Sequence, residues 1–189
     1  MRIISGSAKG RRLATLKGRD IRPTSDKIRQ AVFNILDLDW ESAAVLDLFA
    51  GTGALGIESL SRGARAAVFA DDDRRAVEII KKNLELCDFS QKGRVFQKNV
   101  LHGLSFLKRL GSQFDLVFID PPYGFGMARE SLISISGAGL LAPSGTIVVE
   151  YDIKEELTVP PGLRAVGETR QYGRTMISFL EQEETGGQR

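Results

Sequence analysis

Between residues 44 and 151, short apolar runs alternate with segments whose apolar residues recur every three to four positions. The runs Ala44–Leu48, Ala66–Ala70, Arg94–Lys98, Phe114–Ile119 and Gly145–Tyr151 predict strands, and their alternation with helical patterns predicts β-α units on a mostly parallel sheet. The clearest helix covers Arg74–Cys87, where Val77, Ile80, Leu84 and Cys87 form one apolar stripe. Cys87 on that stripe reads as core filler.

Upstream, Ile28, Val32, Ile35 and Leu36 repeat at helical spacing behind Pro23-Thr24-Ser25-Asp26, where Ser or Thr can cap the first turn; this predicts a helix packed on the sheet edge. Arg2–Ser5 and Arg11–Leu16, broken by Gly6, Gly10 and Gly18, predict a small basic hairpin. At the other end, Leu163–Gln171 and Thr175–Leu180 flank Tyr172-Gly173-Arg174 and predict an antiparallel pair, followed by a polar, frayed tail. The expected fold class is α/β with a Rossmann-like, mostly parallel sheet, an antiparallel C-terminal strand and the N-terminal β-hairpin. The expected division is a hairpin at 1–22, one domain at 23–181 and the tail at 182–189.

The uncharged run Ser131–Val149 invites a membrane reading. Nine of its nineteen residues are Ser, Thr, Gly or Pro, and Pro143-Ser144-Gly145 is a turn signal, so it reads as a loop and a buried strand. A single cysteine among 189 residues excludes an internal disulfide and a thiolate zinc cluster, so no metal is expected. The start lacks the apolar core of a signal peptide, so a cytoplasmic protein without membrane contact is expected; a monomer is expected as well.

The net charge of +2 conceals an asymmetry. Residues 1–30 carry nine basic and two acidic side chains, +7, which leaves −5 for the remainder. A basic arm on an acidic body fits a phosphate-rich partner, because each neutralised phosphate releases counterions. No aromatic interleaves the arm before Phe33, so contacts there would go to backbone phosphates rather than to stacked bases. A solvated, mobile N-terminus is the alternative.

Asp47-Leu48-Phe49-Ala50-Gly51-Thr52-Gly53-Ala54-Leu55-Gly56 leads from a strand through glycines into a helix, and Asp71 follows Gly51 by twenty residues at the end of the next strand. Glycines let the backbone approach a ligand, and a strand-end acid can accept from both ribose hydroxyls. Both a nicotinamide dinucleotide and S-adenosylmethionine need those features. Asp47, four residues before the first glycine and expected to face the ligand, favours the second, since a carboxylate repels pyrophosphate and attracts a sulfonium and an ammonium. Capping of the following helix is its alternative role.

The second motif is Asp120-Pro121-Pro122-Tyr123-Gly124 at the end of the fourth strand. Prolines fix φ and remove donors, leaving rigid carbonyl acceptors. Asp120 and the Pro121 carbonyl can grip the two hydrogens of an exocyclic amino group, while Tyr123 offers a face for a base. Pulling on those hydrogens returns electron density to a delocalised nitrogen and stabilises the charge that appears as a methyl arrives. Phe125 either walls this pocket or tucks into the core. His102, the only histidine, reads as a surface or helix-start residue.

Asp120–Tyr123 after the fourth strand, with Asp47–Gly53, resembles the amino-group methyltransferases. The further set Arg2-Ile3-Ile4-Ser5-Gly6, Lys9-Gly10-Arg11, Arg22-Pro23-Thr24-Ser25-Asp26, Phe33-Asn34-Ile35-Leu36 and Tyr172-Gly173-Arg174-Thr175 resembles the RsmD family, over about residues 1–181. That resemblance implies a class I methyltransferase that uses S-adenosyl-L-methionine to methylate N2 of a guanine in 16S rRNA, within a small-subunit assembly intermediate. It implies a cofactor site at Asp47, Phe49, Ala50, Gly51, Gly53, Asp71 and Asn99, with Asp71 on the ribose, and a guanine site at Asp120, Pro121, Pro122 and Tyr123. Arg2, Lys9, Arg11, Arg12 and Arg22 are the phosphate candidates. The family often has Glu at position 71 and a carboxylate at position 99; Asn99 keeps a carbonyl acceptor for an adenine amino group but loses charge. The competing readings are transfer to DNA bases or a protein glutamine, and a non-catalytic RNA-binding protein of the same fold.

Overall fold

Five consecutive buried residues, Ala44–Leu48, form strand β1, and their continuous apolar character is what a parallel strand covered on both faces requires. The computed structural model describes residues 1–15, 26–108, 111, 113–124 and 126–183. By its internal packing the chain divides into two compact units, Met1–Val100 and Leu101–Arg189.

In the first unit, helix α1 (Asp26–Ile35) precedes β1, helix α2 (Ala54–Ser61), strand β2 (Ala66–Asp71), helix α3 (Arg74–Leu86) and strand β3 (Gly93–Gln97). The strands lie in the order β3-β2-β1, with Leu46 beside Val68 and Phe69 beside Val95 in parallel register. Both helices lie close on the strands. A Cβ at Gly56 would stand 2.4 Å from the Phe69 ring, and one at Gly93 would stand 2.6 Å from Leu84. The α3 stripe of Val77, Ile80 and Leu84 is buried, and Cys87 terminates the helix as a buried core residue, as its spacing predicts.

Helix α1 turns differently from its apolar pattern. Arg29, Val32 and Phe33 are buried, whereas Ile35 is exposed and Leu36 falls outside the helix. Its contacts reach the arm and the end of α2: Arg29 Nη2 donates to the Arg2 carbonyl at 2.6 Å, and Arg62, the residue after α2, lies 4.5 Å over the Phe33 ring. The capping residues Pro23–Ser25 lie outside the described residues.

The N-terminal arm pairs through one isolated antiparallel bridge, Arg2 with Arg12, rather than through two strands. Flanking bonds from Ile3 N–H to the Arg11 carbonyl (3.0 Å) and from Leu13 N–H to the Met1 carbonyl (3.1 Å) keep it folded back on itself. It is docked, which removes the solvated-arm alternative for residues 1–15. Glu58 is fully buried on α2 and accepts from Ile4 N–H (2.7 Å) and Ser5 N–H (3.0 Å). Gly18 lies outside the described residues.

The second unit carries helix α4 (Ser105–Lys108), strand β4 (Phe114–Ile119), helix α5 (Met127–Ala138) and strands β5 (Leu141–Asp152), β6 (Leu163–Tyr172) and β7 (Thr175–Gln182). Their order is β4-β5-β7-β6; β4 and β5 are parallel, and β7 is antiparallel to both β5 and β6. Within each unit the strands run in one direction except β7, which gives the expected mostly parallel α/β class with an antiparallel C-terminal strand.

Two expectations fail here. Residues 131–138, read as loop, belong to α5, whose buried Ser131, Leu132 and Ile135 sit at helical spacing; the serines and glycine disguise the stripe. Pro143-Ser144-Gly145 is no turn either. Leu141 pairs with Phe114 and Thr146 with Leu116, so the extra residues bulge within β5, and a Cβ at Gly145 would stand 2.8 Å from the Phe114 carbonyl oxygen. The polar end expected to fray from 182 stays attached at its start: Gln182 completes β7 and Glu183 N–H donates to the Gly162 carbonyl at 3.0 Å. Residues 184–189 lie outside the described residues.

Candidate active site

The loop that leaves β1 passes through three left-handed residues, Phe49 (φ 58°), Gly51 (φ 56°) and Gly53 (φ 75°). Glycine adopts that conformation freely; Phe49 does so at a cost of about 1–3 kcal/mol, the kind of strain that collects at functional loops. Ala50 is buried and its N–H donates to the Ala70 carbonyl at 3.1 Å. Gly51 is half-buried, and a Cβ there would meet nothing closer than the Phe49 carbonyl oxygen at 3.9 Å, so one face of the loop is open space.

Asp71, half-buried at the end of β2, fixes this loop. One carboxylate oxygen accepts from Gly51 N–H at 2.8 Å and the other from Asp73 N–H at 2.9 Å. Each oxygen keeps a lone pair for a further donor such as a ribose hydroxyl. Burial raises the Asp71 pKa above the ordinary carboxylate value, opposed by those two backbone bonds. Asn99, half-buried after β3, sits near the same strand ends and donates to Asp72 at 3.4 Å.

Asp47 departs from expectation. Its side chain is only 1% exposed, and one carboxylate oxygen accepts from Gly56 N–H at 2.9 Å, in the first turn of α2. It caps that helix, whose own N-cap, Gly53, has no side chain to do so. Burial drives its pKa to about 8, with the Gly56 bond opposing and the Asp71 charge adding to the rise. Burial thus favours the neutral acid, and in this structure the carboxyl is turned to the Gly56 amide, the capping alternative, rather than to the open face of the loop.

In the second unit, Asp120 follows β4 and is half-exposed, Pro121 is buried and Pro122 is exposed. Tyr123 is anchored at its far end: its hydroxyl donates to Glu150 Oε1 at 2.7 Å and lies 2.8 Å from Thr175 Oγ1. Burial first, then the bond to Glu150 and the charges of Glu150 and Asp120, hold the Tyr123 phenol above its ordinary pKa, so it stays a donor. Gly124 N–H donates to Glu155 Oε1 at 2.8 Å, which ties down the loop beyond the ring. Phe125 lies outside the described residues.

Sequence reasoning missed Glu150 and Thr175. Glu150 stands out only as the carboxylate directly after the apolar Ile147–Val149, and Thr175 only as the last residue of Tyr172-Gly173-Arg174-Thr175. The arm's candidates are less uniform than their charges suggest. Lys9 and Arg12 are exposed, whereas Arg11 pairs with Asp88 at 2.7 Å and donates to the Leu86 carbonyl, and Arg2 pairs with Asp26 at 3.4 Å. Arg22 lies outside the described residues.

His102 ends a short helical turn and is exposed. A groove of about 420 Å³ beside α5, lined by Ile133, Ser136 and Pro160 among others, contains none of the candidate residues. Among the described residues, no helix is long and apolar enough to cross a membrane and no group of three or more acidic, His or Cys side chains is placed to hold a metal ion.

The family model described as "Conserved hypothetical protein 95" matches residues 1–181. The chain is 34% identical over 181 residues to YlbH of Bacillus subtilis, covering 96% of this chain and 98% of that protein. It is 33% identical over 186 residues to a protein of Escherichia coli named "Ribosomal RNA small subunit methyltransferase D", covering 98% and 92%. The solved structure of yhhF from Escherichia coli superposes with a TM-score of 0.84 at 34% identity, over 97% of this chain and 98% of that one.

Proposed function

The chain belongs to the family described as Conserved hypothetical protein 95, and on that premise we propose that it transfers a methyl group from S-adenosyl-L-methionine to the exocyclic N2 amino group of a guanine in 16S rRNA, as part of small-subunit assembly. The observation that carries the chemistry is the anchored Asp120–Tyr123 loop at the end of β4. The relative named for small-subunit rRNA methylation, matched over nearly its full length, supports the substrate.

The residues present fit the cofactor. The open face of Gly51 leaves room for a ligand against backbone, and Asp71 retains acceptor capacity for ribose hydroxyls while clasping the loop. Phe49, Ala50 and Gly53 shape that loop, Asn99 supplies an amide for the adenine, and Asp47 acts beneath them as a neutral cap on α2. When bound, S-adenosylmethionine supplies an electrophilic methyl on a sulfonium.

The chain's part in the transfer is acceptance and alignment. Asp120 and the Pro121 carbonyl accept the two amino hydrogens of the guanine, which raises electron density on N2 and offsets the positive charge that grows there. Tyr123, with its hydroxyl held at Glu150 and Thr175, presents a fixed ring for the base. Holding the base in one orientation lowers the barrier without a strong base, and the proton on nitrogen leaves to water once the methyl is in place. Lys9, Arg12 and Arg22 contact phosphates, and Arg2 and Arg11 do so by sharing their present carboxylate partners. A guanine must leave its stack to be reached, which suits a pocket whose ring and loop are held in place.

The test is to incubate 16S rRNA with the protein and labelled cofactor and to analyse the nucleosides. Label in N2-methylguanosine supports the reading; label confined to another nucleoside overturns the position.

A further inference from the structure

The docked arm is fastened to the glycine loop through a residue that the cofactor and guanine sites leave unused. Asn83, on α3 and fully buried, donates to the Thr52 carbonyl at 2.9 Å and to the Ala14 carbonyl at 3.1 Å, and accepts from Ala14 N–H at 2.7 Å. One amide thus holds both backbone groups of an arm residue and the carbonyl between Gly51 and Gly53. A second contact joins the same parts, the Thr52 hydroxyl 3.6 Å from the Met1 sulfur. A third runs through α2, which starts at the loop: Glu58 takes the Ile4 and Ser5 amides, and Gly6 lies so close that a Cβ would stand 1.7 Å from the Ser61 carbonyl oxygen.

These bonds leave Asn83 no slack. Lifting the arm strands a buried donor and a buried acceptor, which is unfavourable, and frees the amide to rotate away from Thr52. Arm and loop are therefore ordered together, and whatever orders one is felt at the other. A free-energy coupling of this kind acts equally in both directions.

We propose that Asn83 is a positioning residue that couples the N-terminal arm to the cofactor loop, so that a phosphate backbone held by the arm and a cofactor held by the loop strengthen each other's binding. The inference rests on the methyltransferase reading above. It gives the enzyme a means of holding cofactor tightest when the arm is engaged on its RNA.

The experiment is hydrogen exchange on the full chain with and without S-adenosylhomocysteine, for the parent and for Asn83→Asp, which keeps the acceptor for Ala14 N–H but loses the two donors. In the parent, the ligand slows exchange at Ile4, Ser5 and Ala14 by about fivefold or more, in step with the glycine loop. In Asn83→Asp the loop is still protected by ligand, while the added protection at Ala14 disappears. A parent that binds S-adenosylhomocysteine with unchanged arm exchange overturns the coupling and leaves the methyltransferase reading standing. A parent that does not bind it overturns the reading and the coupling together. Undiminished ligand protection at Ala14 in Asn83→Asp removes Asn83 from the path. Because the parent comparison needs no substitution, it decides the coupling even where the variant unfolds.

Discussion

The hydroxyl of Tyr123 donates to the carboxylate of Glu150 at 2.7 Å, joining the loop after β4 to β5. With Thr175 on β7 at 2.8 Å from the same hydroxyl, the ring is fixed by two strands and cannot swing with its loop. Replacing Tyr123 by Phe keeps the ring and removes both bonds. A bond to a charged partner is worth about 1.5–3 kcal/mol, so methyl transfer in Tyr123→Phe falls by roughly tenfold or more. Glu150→Gln, which retains an acceptor, falls less. Steady-state kinetics on RNA, with cofactor affinity measured separately, checks this; a loss confined to cofactor affinity contradicts it.

Asp120 is assigned to the amino group of the base rather than to the cofactor. Asp120→Ala therefore abolishes detectable transfer and leaves the melting-temperature rise caused by S-adenosylhomocysteine nearly unchanged. Calorimetry and the transfer assay on one preparation separate the two. Transfer near the parent rate removes Asp120 from the chemistry.

The buried carboxyl of Asp47 titrates near 8, against an ordinary 3.8. Between those values the folded protein holds a proton that the unfolded chain has released, so this residue lowers stability as pH rises from about 4 to about 8. Asp47→Asn keeps an acceptor for Gly56 N–H and cannot ionise. Its stability-against-pH curve is flatter over that interval and lies at or above the parent's near pH 8, as melting curves across pH will read. A curve parallel to the parent's places the Asp47 proton elsewhere.

The arm's two central arginines are not equivalent. Arg11 is tied to Asp88 and the Leu86 carbonyl, while Arg12 is exposed. Arg12→Ala lowers the salt slope of RNA binding by about 0.7–0.9, one phosphate contact, without altering arm exchange or the methylated position. Arg11→Ala also loosens the arm. Identical effects of the two substitutions would return the arm to a diffuse charged surface.

Strand positions were legible because buried parallel strands are short continuous apolar runs, and β1 and β4 begin and end where their runs do. Helix α5 was hidden by Ser131, Ser134, Ser136 and Gly137, which depress the apolar signal, although Ser131 is itself on the buried face. The candidate residues around the two loops were legible as types, because glycine freedom and strand-end acids leave marks in sequence. Their geometry was not. Asp47 lies one position from an apolar neighbour on either side, and nothing local says whether its carboxylate points to a ligand or to the Gly56 amide. Asn83 and Glu58 were passed over because a single polar residue on an apolar helix face gains its meaning from a partner far away in sequence, here Ala14 and Ile4.

The central claim is tested most directly by offering labelled S-adenosylmethionine to the protein with assembled small subunits, naked 16S rRNA, duplex DNA and a protein extract in parallel, followed by nucleoside and amino-acid analysis. The account predicts label as N2-methylguanosine in the ribosomal samples alone, with the split between naked and assembled RNA reporting how far recognition depends on protein-ordered shape. Label in DNA or protein, or bound cofactor with no label in any sample, contradicts it.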